Sequence, residues 1–343
     1  MQSKRGAHDL KILVTGIAGF AGGHLAQYLH GLEGQEVVGL SLPEPPERFS
    51  RLFEGEPPRV HYEDITGEAR LGAILAEERP DAVMHLAAHA QVAGAWGQGR
   101  QIMENNAVAT QVLMQAIHDN CPGARVLLVG SGDVYGHVEE DELPLAEDRP
   151  PRPNNPYSVS KLAQEFIALQ YHHAFGMEVV AARPFNHIGP RQLGDFITPA
   201  VARQLAEIEA GLKEPVIEVG NLDSRRDFLD VRDVVRAYHA ILERGTPGEV
   251  YNVCSGQARV IRDIVTTLVD LSDARPELRQ DPNRMRPSDT PVVIGDNAKL
   301  MALEWWKPRI DFRQSLGDVL EFWRGEAAGR AAANETGRHR HPG

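Results

Sequence analysis

The stretch "KILVTGIAGFAGGHL", Lys11 to Leu25, decides the fold. After Lys11 it runs through four apolar or β-branched residues, the mark of a buried strand. Gly16, Gly19 and Gly22 follow at intervals of three, and the pattern then passes to that of a helix. A strand, a glycine turn and a helix in that order set the free N–H groups of a helix N-terminus beside backbone that carries no side chains. Such a junction favours an anionic phosphate and lets it approach closely. A glycine triplet alone carries little weight. The strand before it and the helix after it are the context that makes it a nucleotide seat. Gly16, Gly19, Phe20, Ala21 and Gly22 are therefore read as the pyrophosphate end of a dinucleotide site.

Working outward, "EVVGL", "RVHYED", "AVMHLAA", "RVLLVGS" and "GMEVVAARPF" read as further strands, and "EARLGAILAEER" and "NAVATQVLMQAIHD" as helices between them. Alternating strands and helices predict an α/β fold: a Rossmann-type, doubly wound parallel sheet. Beyond Asn186 the alternation loosens into strands and helices separated by polar loops. This half reads as a smaller α/β substrate-binding cap, some segments of which return to the main sheet. The expected division is 9–185 for the dinucleotide domain, 186–324 for the cap and 325–343 for a disordered tail without apolar periodicity.

Composition narrows the function. The chain has 343 residues and a formal net charge of −12, which disfavours broad contact with nucleic-acid backbones. No run approaches the twenty or so apolar residues of a membrane span, and the start, "MQSKRGAHDL", does not read as a secretory signal. Cys121 and Cys254 cannot form a disulfide framework and fit a reducing cytoplasm. At the end of the second strand Ser41 stands where a carboxylate would repel a 2′-phosphate, so NADPH is permitted as well as NADH. Arg48 and Arg51 either reach that phosphate or remain solvated loop residues. Asp64 either accepts a hydrogen bond from the adenine or caps the segment after it.

"NNPYSVSKLAQEF" places Tyr157 and Lys161 one helical turn apart, on one face. An ammonium there is expected to favour the phenolate and bring the tyrosine into proton-transfer range. The glycine triplet, "HLAA" after the fourth strand, a serine after the fifth and Tyr-x-x-x-Lys together resemble the extended short-chain dehydrogenase/reductases, from Lys11 to about Arg324. "GSGDVYG", "ARPFNHIGPRQ", "SRRDFLDVRDVVRAY" and "QDPNRMRPSD" narrow the resemblance to the GDP-mannose branch, and within it to reductases of GDP-4-keto-6-deoxymannose that make GDP-D-rhamnose. The resemblance implies Ser131, Tyr157 and Lys161 as the catalytic set. It implies a cofactor path past Ser41, Asp64, Ile65, Leu86, Ala87 and Ala88 to Tyr157 and Lys161. It also implies a homodimer built on two long helices.

Within the branch, a 4,6-dehydratase needs a further acid and base, which the family carries in the two positions after the serine. Here these are Gly132, with no side chain, and Asp133, one methylene shorter than glutamate. A misplacement of about 1 Å costs about a hundredfold in rate, so plain ketone reduction is favoured over dehydration; an epimerase on the same scaffold is the alternative, and the intact Ser131, Tyr157 and Lys161 count against a non-catalytic nucleotide sensor. For the GDP-sugar, Asn106, Ser131, Asn186, Arg191, Arg226 and Arg286 are the expected contacts; Arg225 and Arg284 are the neighbouring alternatives. Arginine suits a diphosphate because its fork bonds two oxygens at once. His85, His89 and His187 lack the supporting ligand spacing of a metal site, and no metal is expected.

Overall fold

The computed structural model describes residues 10–42, 49–53, 55–89, 95–194, 196–281 and 290–338. The first half contains β1 (Leu10–Thr15), α1 (Phe20–His30), β2 (Gln35–Ser41), β3 (Arg59–Tyr62), α2 (Glu68–Glu78), β4 (Ala82–His85), α3 (Gly99–Met103), α4 (Ala109–Asn120), β5 (Arg125–Val129), α5 (Pro156–Phe175) and β6 (Val179–Pro184). A single π-helical stretch, Glu104–Val108, joins α3 to α4. The second half contains β7 (Asn186–Ile188), α6 (Ile197–Glu209), β8 (Val216–Val219), β9 (Arg225–Asp230), α7 (Val231–Arg244), β10 (Val250–Val253), β11 (Ala258–Val260), α8 (Ile261–Asp270), β12 (Glu277–Gln280), β13 (Val292–Val293), α9 (Ala298–Met301) and α10 (Phe312–Arg338).

The main sheet has the order β3-β2-β1-β4-β5-β6-β10, every neighbour parallel. Its order reverses between β1 and β4, which opens a crevice at the strands' C-terminal edge, where such sheets bind ligands. Alternate side chains of β1 feed opposite faces. Ile12 and Val14 pack with Leu25 and Leu29 of α1 and with Val234 and Ile241 of α7. Leu13 packs with Leu75 of α2, Leu113 of α4 and Ala168 of α5. A strand buried on both sides is why the stretch reads as nearly continuous apolar sequence.

The seventh strand, β10, comes from beyond Asn186 and pairs with β6, Val250 opposite Ala181. The cap has its own core, formed by Val201 and Leu205 of α6, Phe228 of β9, Leu268 of α8 and Leu316 and Leu320 of α10. Its β9 pairs with β7, β11 and β13. The expected tail differs: α10 continues through Gly325 to Arg338. Ala327 there is fully buried, and Arg330 pairs with Glu207 of α6 at 2.9 Å. The alanine-rich "EAAGRAAANE" has strong helix propensity, and one buried alanine with one ion pair docks it without a long apolar repeat.

Candidate active site

The glycine junction is built as much for its own closure as for a ligand. Gly16 has φ +70°, and a β-carbon there would lie 2.9 Å from the Ala87 backbone. At Gly22 a β-carbon would lie 2.1 Å from the Gly16 carbonyl oxygen. Gly19 is the member exposed at the tip; it caps α1 and donates its N–H to the Gly16 carbonyl at 3.0 Å. The first turn of α1 holds no acidic side chain, so nothing there opposes a phosphate at its positive end. The junction thus fits a dinucleotide pyrophosphate.

Phe20 and Ala21 pack on the core beside the junction, as Leu86 does at the end of β4. Ala87 donates its N–H to Thr15 Oγ1 at 3.1 Å, and Ala88 is half-buried next to it. Ser41 closes β2 opposite Tyr62. Asp64 caps: its Oδ1 accepts from the Thr66 N–H at 2.8 Å and the Thr66 hydroxyl at 2.7 Å. Ile65 packs on the core of the other sheet face. Arg48, Arg284 and Arg286 lie outside the described residues, as does the side chain of Arg51.

Helix α5 starts where the sequence supplies a cap. Asn155 accepts from the Ser158 N–H at 2.9 Å, Ser158 answers the Asn155 N–H at 3.2 Å, and Pro156 opens the first turn. Gly176, with φ +71°, ends it. This sets Tyr157 and Lys161 beside the end of β5. Lys161 is buried and donates Nζ to the Val129 carbonyl at 2.7 Å. Burial pushes its pKa down to about 7, against the opposing charge of Glu165. Tyr157 hydrogen-bonds Ser131. Burial first, then the Asp133 carboxylate, push the phenol well above its ordinary range, and the Ser131 bond only partly offsets them. The expected acidification of Tyr157 by Lys161 is therefore corrected. In this structure the phenol stays protonated, because desolvation disfavours its anion.

Asn106 is also corrected. Expected against substrate, it is fully buried. Its Oδ1 accepts from the His89 N–H at 2.6 Å, and its Nδ2 donates to Ser160 Oγ at 2.8 Å. It positions the start of α5, and Asn105 beside it is exposed. The neighbouring Glu165 makes a two-pronged pair with Arg183, at 2.9 and 2.7 Å. Arg183 reaches the Tyr135 hydroxyl at 2.9 Å, which in turn donates to Asn252 of β10 at 2.8 Å.

Gly132 is buried, and a β-carbon on it would meet the Phe185 ring at 3.0–3.2 Å. Phe185 fills the space a side chain at 132 would need. Asp133 is exposed, and its backbone N–H donates to Ser131 Oγ at 3.1 Å.

Asn186 is exposed at the start of β7. Arg191, in a left-handed conformation with φ +74°, turns toward the nucleotide helix and donates to Gln27 Oε1 of α1 at 3.0 Å. Burial lowers its pKa to about 10. Arg226 is half-buried on β9, directly across the strand pair from Arg259 of β11. His85 is bonded through both ring nitrogens, to Thr15 Oγ1 at 2.7 Å and Thr110 Oγ1 at 2.9 Å, and burial pushes its pKa down to about 3. His187 contacts the Phe185 carbonyl at 3.1 Å and stacks on Phe20. Phe185, Glu165 and Thr110 lie inside stretches the sequence singled out, but their roles went unnoticed, because only their partners across the fold mark them.

A seven-stranded parallel sheet with a glycine-lined first turn, and a serine, tyrosine and lysine gathered at the ends of β5 and α5, define a nicotinamide-dependent enzyme of the short-chain dehydrogenase type. The family model for GDP-mannose 4,6 dehydratase matches residues 13–319, and the chain belongs to that family. It is 40% identical to the GDP-6-deoxy-D-mannose reductase of Pseudomonas aeruginosa, over 91% of this chain and 97% of that protein. It is 31% identical to the GDP-6-deoxy-D-talose 4-dehydrogenase of Aggregatibacter actinomycetemcomitans, over 85% and 90% of the two chains. The solved structure of RMD from Pseudomonas aeruginosa complexed with NADPH superposes with a TM-score of 0.82 at 39% identity, covering 92% of this chain and 99% of that one.

Proposed function

We propose that the protein reduces the C4 ketone of GDP-4-dehydro-6-deoxy-D-mannose to GDP-6-deoxy-D-mannose (GDP-D-rhamnose), using NADPH or NADH. The observation that carries this reading is the packing of Phe185 over Gly132. A dehydratase needs acid–base groups just past Ser131. Here one of those positions has no side chain, and a β-carbon on it would press against the Phe185 ring.

The bound dihydronicotinamide supplies the hydride to C4. Tyr157, kept protonated by its surroundings, donates its proton to the ketone oxygen as charge develops there. Ser131 bonds the same oxygen and holds the phenol in line. Lys161 offers its Nζ to the cofactor ribose hydroxyls. Asn186 and Arg226 would grip the GDP-sugar from the cap side, with Arg286 as a further candidate from the sequence. The exposed Val108, Val159 and Phe166 of the π-helical stretch and α5 support a homodimer through α4 and α5. None of the described helices is long and apolar enough to cross a membrane. Two unpaired cysteines fit a cytoplasmic enzyme.

The test follows nicotinamide absorbance with purified protein and GDP-4-dehydro-6-deoxy-D-mannose, with NADPH and NADH in separate reactions. The expected result is loss of one reduced cofactor per sugar reduced. No loss, with GDP-mannose converted to a keto sugar instead, would overturn the reading.

A further inference from the structure

We propose that His85 is a positioning residue for this reaction: as a neutral imidazole donating from Nε2 and accepting at Nδ1, it ties the nucleotide loop to the start of the Tyr157 helix. The kinetic part rests on the reductase reading above; the tautomer does not.

The observation is an unbroken line of hydrogen bonds through the core. Ala87 N–H reaches Thr15 Oγ1 at 3.1 Å, and Thr15 Oγ1 lies 2.7 Å from His85 Nδ1. His85 Nε2 lies 2.9 Å from Thr110 Oγ1, whose hydroxyl meets the Asn106 carbonyl at 2.8 Å. Asn106 Nδ2 then reaches Ser160 Oγ at 2.8 Å, and Ser160 meets the Tyr157 carbonyl at 2.7 Å. Thr15, His85, Asn106, Thr110 and Ser160 are each no more than 1% exposed. The line is therefore satisfied by protein alone, where an unmade bond is costly.

Donor accounting fixes its direction. The Thr110 hydroxyl has one hydrogen. The Asn106 carbonyl can only accept, so it takes that hydrogen. Thr110 Oγ1 also accepts from Gln164 Nε2 at 2.7 Å, and it faces His85 as an acceptor at 2.9 Å, which requires Nε2–H; Gln164 Nε2, 3.4 Å from His85 Nε2, is then a packing neighbour whose hydrogen goes to the shorter Thr110 bond. At the other end Thr15 Oγ1 accepts from Ala87, so its own hydrogen goes to Nδ1, which must be bare. Both ends give the same tautomer. No metal or acid–base role is left for this histidine.

The line joins two places whose spacing matters. Ala87 is the wall against which Gly16 closes, and Tyr157 is the proton donor. A shift of about 1 Å between cofactor loop and acid would cost about a hundredfold in rate.

The experiment has two arms. Nitrogen-15 NMR of histidine-labelled wild type, with His85→Gln to assign the signal, should show a neutral Nε2–H imidazole; a neutral Nδ1–H ring or a protonated ring near neutral pH would overturn the proposal. In kinetics, Thr110→Val, which cuts the line while keeping shape, should lower kcat by about 10- to 100-fold. NADPH affinity and the KM for the GDP-sugar should stay within about threefold of wild type, and Thr110→Ser should restore kcat. Unchanged kcat, no rescue by serine, or parallel loss of cofactor affinity would overturn it. A wild type inert toward the keto sugar would instead fail the reductase reading, and the NMR arm would still decide the tautomer.

Discussion

At Tyr157 burial, and after it the Asp133 carboxylate, favour the neutral phenol, and the chemistry asked of it is to give a proton away. Tyr157→Phe keeps the ring and removes the proton. We expect kcat to fall by about 10²- to 10⁴-fold, with NADPH affinity by fluorescence titration within about threefold; retained turnover would remove Tyr157 from the mechanism. Lys161 supplies a second test, in stability. Its folded pKa, about 7, lies below its ordinary 10.5. Between those values the unfolded chain binds a proton that the folded chain does not, so wild-type stability gains from rising pH across that window. Lys161→Met loses activity and flattens the rise. Urea unfolding from pH 7 to pH 10 measures it, and equal slopes in both proteins would refute the assigned burial.

At the scale of elements, the junction between β1 and α1 depends on contacts that no side chain tolerates. Gly22→Ala places a β-carbon against the Gly16 carbonyl. It should weaken NADPH binding at least about tenfold, by distorting the turn that presents the loop to the phosphates. Gly19→Ala, with 3.1 Å of room, should perturb the fold less. After β5, Gly132→Ser forces its side chain into Phe185. Overpacking of this kind costs about 1–3 kcal/mol, read as a lower urea midpoint, and no dehydratase activity should appear. These effects were only half legible. The glycine spacing announced a nucleotide loop, yet which glycine faces the ligand and which close the turn depends on Ala87, far along the chain. Helix α5 was legible in the spacing of Tyr157 and Lys161; its ends are set by Asn155, Pro156, Ser158 and Gly176. The bond from Lys161 to Val129 was not legible, because it crosses between elements.

Across the whole molecule, the cap and the main sheet are interwoven. β10 returns to the main sheet, α7 packs on its face, and β7 leaves it to pair with β9. Asn186 on β7 and the Ser131, Tyr157 and Lys161 group at β5 and α5 are thereby tied to one continuous framework. The outer face of the paired helices keeps Val159 and Phe166 in solvent. Replacing Val159 and Phe166 together by aspartate should convert a dimer to a monomer in light scattering; an unchanged mass would remove this face from the interface.

The sequence by itself determined the parallel α/β class, the nucleotide junction, the capped helix with Tyr157 and Lys161 one turn apart, and the family. The first three rest on periodicity or spacing within a few residues; the family rests on a resemblance carried by several motifs spread along the chain. Only the tertiary structure decided that burial raises the Tyr157 pKa, that Asn106 is buried and bonded to His89 and Ser160, that Arg191 docks on α1, that α10 continues to Arg338, and that Phe185 packs against Gly132. Those outcomes depend on desolvation and on partners distant in sequence. Neither is a property of a residue until the chain has brought its neighbours to it.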